Sequence, residues 1–274
     1  MGQGSVVVPY CGLPPNPGEL WSRWNFDPVL IAILLLSLAA YLIAAPSAAR
    51  RGWIGRRTIT AFVVGWIVLT AALISPLCPL SVSLFAARVG QHMVIVLIAA
   101  PLIAAGRLGA VARAALGARS PTGPETRSAT GAIVATALFA VTLWFWHMPQ
   151  PYDATFASGI IYWMMHITMI LSALWLWTVL LDRRRAQAAT VIGVGLATST
   201  QMSLLGAAIT FASHPLYAPH AGTTLAWGVS QLLDQQLGGA IMWVPGGAIF
   251  LAAAMIALWS IVGVARPTLD MKPR

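Results

Sequence analysis

Five histidines and ten methionines are the residues of this 274-residue chain that could do chemistry, and they are placed unevenly. His92 adjoins Met93, His147 adjoins Met148, and Met164, Met165, His166 and Met169 fall in one short stretch. His214 and His220 follow a later apolar segment, and Met202 and Met242 stand apart. Thioether is soft and suits Cu(I), imidazole suits several transition metals, and hard ions prefer oxygen. The pattern therefore points to copper, Cu(I) in particular. Helical spacing sharpens it. Tyr162, His166 and Met169 share one face at i, i+4 and i+7; Arg88 and His92 share another. Gln235, Gly239 and Met242 line a third, with Asp234 at its edge. Each residue has a plainer use as well. A histidine near a membrane interface can hydrogen-bond a carbonyl or water, and methionine is ordinary core filler. The gathering of both types at one end of their segments is what favours ligation.

The elements that must position these residues are membrane spans. The chain is 58% hydrophobic and 8% charged, against about 25% charged in an average soluble domain. So few charges cannot cover a globular surface, and the apolar runs are each near the roughly 20 residues that cross a bilayer. The expectation is an all-α polytopic protein with seven transmembrane helices, near 28–45, 59–76, 89–106, 129–146, 160–181, 188–211 and 239–264. Residues 1–27 form an N-terminal tail, 28–264 the helical domain and 265–274 a C-terminal tail. The tail 1–27 lacks a basic region leading into an apolar core, so it does not read as a cleavable signal, and the first span reads as an uncleaved anchor.

The net charge of +9 does not indicate nucleic acid, because the cations sit in short loops between spans. Arg50, Arg51, Arg56, Arg57, Arg107, Arg113, Arg119, Arg127, Arg183, Arg184, Arg185, Arg266, Lys272 and Arg274 all fall on alternate loops, leaving only Arg23 and Arg88 on the other side. The positive-inside rule places the N-terminus outside and the C-terminus in the cytoplasm. All five histidines then lie toward the outside. Tryptophans such as Trp21, Trp146, Trp163 and Trp243 mark the outer interface, and Trp53, Trp175 and Trp259 the inner one. Pro101 and Pro245 are expected to kink their helices. Gly195, Ser199, Ser203 and Ala207 form a small-residue stripe for close helix contact, beside which Gln201 reads as an interhelical hydrogen-bond partner. Cys11 and Cys78 both fall outside, and a disulfide, two free thiols or a metal thiolate are all open to them.

Four segments carry a family resemblance. "QHMVIVLIAAPLIAAG" (91–106), "LWFWHMPQPYDATF" (143–156), "HPLYAP" (214–219) and "LLDQQLGGAIMWVPGG" (232–247) resemble, in the same order, motifs of the multi-spanning CtaG-type cytochrome c oxidase assembly factors. The last match is the most specific. The resemblance covers about 60–264 and implies a non-enzymatic role in building a haem–copper oxidase in a bacterial plasma membrane. Copper would be bound at the outer face and passed to an oxidase subunit. Matching positions carry over as His92, His147, His166, Asp234 and Met242, and Met169 joins them by its helical face. The chain departs from the family at Arg88, where a histidine is common, and at Tyr162 and Met165, where a histidine and a glutamate are common. A sparser His/Met site suits Cu(I) better than Cu(II). Arg88 beside a cation calls for an acid partner, Asp234 or Asp153. Two other readings remain: a haem-binding electron carrier ligated by His92 and His166, and a metal-free scaffold that docks the oxidase through its outer loops. No nucleic-acid partner is expected; the bilayer is, and a homo-oligomer is left open.

Overall fold

The structure, a computed structural model, describes residues 8–121, 129–181 and 188–262. Among them every regular element is helical. In chain order these are α1 Pro28–Arg50, α2 Arg56–Ile74, α3 Leu77–Ser83, α4 Phe85–Val94, α5 Ala100–Ala105, α6 Leu108–Ala115, α7 Ala129–His147, α8 Pro149–Ala157, α9 Gly159–Leu180, α10 Ala188–Thr210 and α11 Gln231–Val262. Among the described residues seven segments are long and apolar enough to cross a bilayer, matching the expected number; the third of them, Phe85–Ala115, comprises α4 to α6. Arg127, Arg183, Arg184, Arg185, Arg266, Lys272 and Arg274, which helped to set the expected orientation, lie outside the described residues, as does the tail 265–274.

Local chemistry sets the helix starts. Asp27 caps α1, its carboxylate accepting from Val29 N–H (2.8 Å) and Leu30 N–H (3.4 Å), with Pro28 at the first helical position. Ser158 caps α9 through Ile161 N–H (3.4 Å). Two boundaries differ from expectation in a way that matters. The third span begins at Phe85 rather than 89, and the seventh at Gln231 rather than 239. Both extra turns carry polar residues, Arg88 in one and Asp234 and Gln235 in the other, so hydropathy alone trims them.

The third span is the hub. Half of its most apolar window is buried, against 22% for α1. Met93, Val96, Leu97 and Ala100 pack into one core with α7, α9, α10 and α11. Ile95, Ala99 and Ile103 pack into a second core with α1 and α2. Between α4 and α5 the backbone forms a π-turn at Ile95–Ala99, which ends two residues before Pro101. Ala100 N–H reaches back five residues to Ile95 O. In that register Val96 O would look to residue 101, and proline has no N–H to give. The indole N–H of Trp177 supplies it instead, at 2.7 Å. The expected proline distortion is thus a π-turn repaired from α9.

α10 and α11 lie against each other with almost no side chain between them. A Cβ on Gly195 would come 2.9 Å from Ala254 Cβ, and one on Gly206 would come 2.9 Å from Gly239 O. Ser199 Oγ donates to Gly247 O at 2.9 Å. The small-residue stripe makes the close contact expected of it. Gln201 accepts from the Trp144 indole at 3.0 Å, tying α10 to α7.

Candidate metal centre

α4 and α9 meet at the end of the bundle that also carries residues 8–27. Arg88 and His92 occupy one face of α4; Tyr162, Met165, His166 and Met169 are all buried on α9. The His92 and His166 rings touch edge to face, with centroids 5.2 Å apart and planes at 72°. They are 5% and 1% exposed, and the Nε2 of each is buried with no hydrogen-bond partner. His166 Nδ1 donates to Tyr162 O at 3.1 Å. A carbonyl can only accept, so the proton sits on Nδ1 and the neutral ring presents a bare lone pair at Nε2. Two buried imidazole nitrogens without a hydrogen-bond partner are costly unless something satisfies them.

The other expected ligands are dispersed. His147 is buried at the end of α7, and its Nδ1 donates to Leu143 O at 2.7 Å. His147 lies near enough to His92 to interact with it electrostatically, and so borders the pair. Met169 and Met242 are both buried in the larger core, 3% and 0% exposed. Asp234 is used elsewhere. Its Oδ2 accepts from Phe85 N–H at 2.7 Å and its Oδ1 from Ala86 N–H at 3.1 Å. The carboxylate is the N-terminal cap of α4, supplied in trans from α11 and favoured by the helix dipole. Among the described residues no group of three or more His, Cys, Asp or Glu could hold a metal ion.

Arg88 is the residue that sequence reasoning placed but misread. It is 2% exposed, and neither Asp234 nor Asp153 partners it. Nη2 donates to Thr155 Oγ1 at 2.6 Å and points to Met165 Sδ at 3.7 Å, while Nε has no partner. The guanidinium instead lies over Phe156 (4.4 Å), Tyr152 (4.9 Å) and Tyr162 (5.8 Å). Rings offer a cation their negative faces, and three of them replace the missing acid.

Tyr152, Tyr217 and His220 complete a wall that went unrecognised in the sequence. Tyr152 Oη and His220 Nε2 are 2.7 Å apart, and Tyr217 O–H donates to His147 O at 2.9 Å. Phe85 stacks on Tyr217 with centroids 4.2 Å apart. His220 is 1% exposed although it lies in a loop. Burial and the nearby Arg88 push its imidazole from 6.5 down to about 3, and burial raises the Tyr152 phenol above its ordinary 10.0. The one available signal was the density of aromatics in "YDATF" and "HPLYAPH".

Above the histidines, Cys11 and Cys78 form a disulfide. Tyr162 Oη lies 3.3 Å from Cys11 Sγ and 3.8 Å from Cys78 Sγ. Tyr10 stacks on Tyr162 (4.8 Å) and donates its O–H to Asp27 Oδ2 at 2.5 Å. The tail thus lies over the ring that packs on His166, whose centroid is 4.2 Å from that of Tyr162.

No curated protein and no solved structure matches the chain. A family model does, over residues 39–263, and its description is cytochrome c oxidase caa3 assembly factor.

Proposed function

The chain belongs to the cytochrome c oxidase caa3 assembly factor family, and from that premise we propose that it carries Cu(I) on His92 and His166 and hands it to an oxidase subunit. One observation supports this reading above the others: two buried Nε2 atoms on facing helices, both without a partner. A zinc–imidazole bond of about 2.0 Å sets the scale for metal binding. Rings 5.2 Å apart are near enough for one small ion to reach both.

The neighbours favour the monovalent ion. The fixed charge of Arg88 sits one turn from His92 and opposes a dication more than a monocation. Met169 places a soft thioether one turn from His166 on α9, and soft donors select Cu(I). With few ligands, the ion can be released to a client. His147, Asp234 and Met242 stand outside the binding pair: His147 borders it, Asp234 caps α4 and Met242 fills the core.

The haem reading is disfavoured by the same contact. Axial ligation needs the two imidazoles on opposite sides of a porphyrin plate, and rings in edge-to-face contact leave it no room. The metal-free scaffold predicts that the histidines are dispensable. The disulfide supports placing this end in an oxidising compartment, in accord with an outside N-terminus in a bacterial plasma membrane.

The test is made in cells. In a strain lacking the protein, wild type should restore the copper content and spectrum of the purified oxidase. His92→Ala and His166→Ala, present in the membrane at normal level, should restore less than a tenth. Full restoration by both variants would replace this reading with the scaffold.

A further inference from the structure

The Cys11–Cys78 disulfide has an asymmetric setting. Cys78 is 0% exposed. Cys11 is half-buried and lines a cleft of about 300 Å³, together with Tyr10, Gly12, Ser22, Arg23, Trp24, Asn25 and Pro79. That volume admits a side chain from another molecule. Cys11 therefore borders a cleft, whereas Cys78 is enclosed by the protein. The buried sulfur is also the one with a side-chain amide aimed at it: Asn25 Nδ2–H points to Cys78 Sγ at 3.6 Å. Tyr162 Oη is near both sulfurs, 3.3 Å from Cys11 Sγ and 3.8 Å from Cys78 Sγ, with the Arg88 guanidinium over the same ring, so the asymmetry rests on burial and on Asn25.

We propose that this disulfide is a thiol-exchange site, attacked at Cys11 through the cleft by a dithiol protein and releasing Cys78 as the leaving thiolate. The donor's thiolate adds to Cys11 Sγ. A donor–Cys11 bond forms, the Cys11–Cys78 bond breaks, and its electron pair goes to Cys78 Sγ. Asn25 N–H and Tyr162 O–H lie within reach of that new negative charge, and hydrogen bonds to the thiolate make it a better leaving group. The donor's second thiol then attacks the mixed disulfide and frees Cys11. Two electrons and two protons have passed to the chain, and the donor departs oxidised. Arg23, in the same cleft, favours the approach of an anionic thiolate. Exchange would also loosen Tyr10 and Cys11 from Tyr162, and so uncover the helix face that carries His166. The proposal does not depend on copper at the histidines.

The experiment uses the full-length protein in detergent, incubated with reduced glutathione, acid-quenched and mapped by mass spectrometry, with circular dichroism recorded alongside. Glutathione should appear on Cys11 at least tenfold more than on Cys78 while the helical signal is unchanged. Asn25→Ala should slow adduct formation several-fold without altering that signal. Equal labelling of both cysteines would overturn the proposal. So would an adduct that forms only after helix is lost, or a rate indifferent to Asn25. Because the wild type alone gives the site of attack, the result stands even where Cys11→Ser or Cys78→Ser fails to fold.

Discussion

Arg88 shows what a single residue can hide. Its position on the face of His92 is legible from four-residue spacing, and a carboxylate partner is the natural expectation for a buried cation. The partner is instead a set of aromatic rings from α8 and α9, and no local pattern announces a cage built from separate segments. The charge would oppose any cation bound at His92. At about 6 Å and an effective dielectric of about 20, two unit charges repel by about 2 to 3 kcal/mol. Arg88→Met, which keeps the length and removes the charge, should therefore tighten Cu(I) binding at least tenfold, measured by competition with a chromophoric chelator. His220 illustrates the same blindness: a loop histidine reads as solvated, yet Tyr152 and Phe156 enclose it. Its folded value, about 3, lies below its ordinary 6.5. Between those values the unfolded chain takes up a proton that the folded chain refuses, so stability falls as the pH drops through this window. His220→Gln cannot titrate and should flatten the dependence of the melting temperature on pH between about 6.5 and 3, with the wild type losing several degrees more.

At the scale of elements, hydropathy locates every span but misplaces the ends that matter. The turn 85–88 and the turn 231–235 are too polar to count as membrane, yet each continues its helix because its polar groups find partners within the protein. Asp234 of α11 caps α4, and Gln235 accepts Leu216 N–H at 2.6 Å. That pairing joins residues 149 positions apart, which spacing in sequence cannot reveal. Its signature in the sequence, D-Q-Q, invites a reading as ligands. The alternative reading carries its own consequence. Asp234→Ala leaves the buried Phe85 N–H and the partly buried Ala86 N–H of α4 without an acceptor, and should cost about 1 to 3 kcal/mol; thermal unfolding in detergent would register it. Asp234→Asn keeps one acceptor oxygen and should lose less. By contrast, the packing of α10 on α11 is readable directly, because small residues at four-residue spacing have few uses other than close approach. The π-turn is half-readable. Pro101 announces a defect, but the repair comes from Trp177, on another helix.

At the scale of the whole molecule, the third span divides the bundle into two cores and carries the candidate site on its disulfide-end turns. Seven spans and the meeting of His92 with His166 follow from the sequence, since composition counts spans and an ionisable residue in a membrane helix turns inward. The covering of that site by residues 8–27 does not follow, because a disulfide and one tyrosine stack leave no periodic trace. The most direct measurement is a Cu(I) titration of the purified, detergent-solubilised chain against a competing chelator, with His92→Ala and His166→Ala in parallel. A copper site on these two histidines predicts one copper per wild-type chain and an affinity lower by at least a hundredfold in each variant, with circular dichroism unchanged. Wild-type affinity in both variants, or no binding by the wild type, would contradict it.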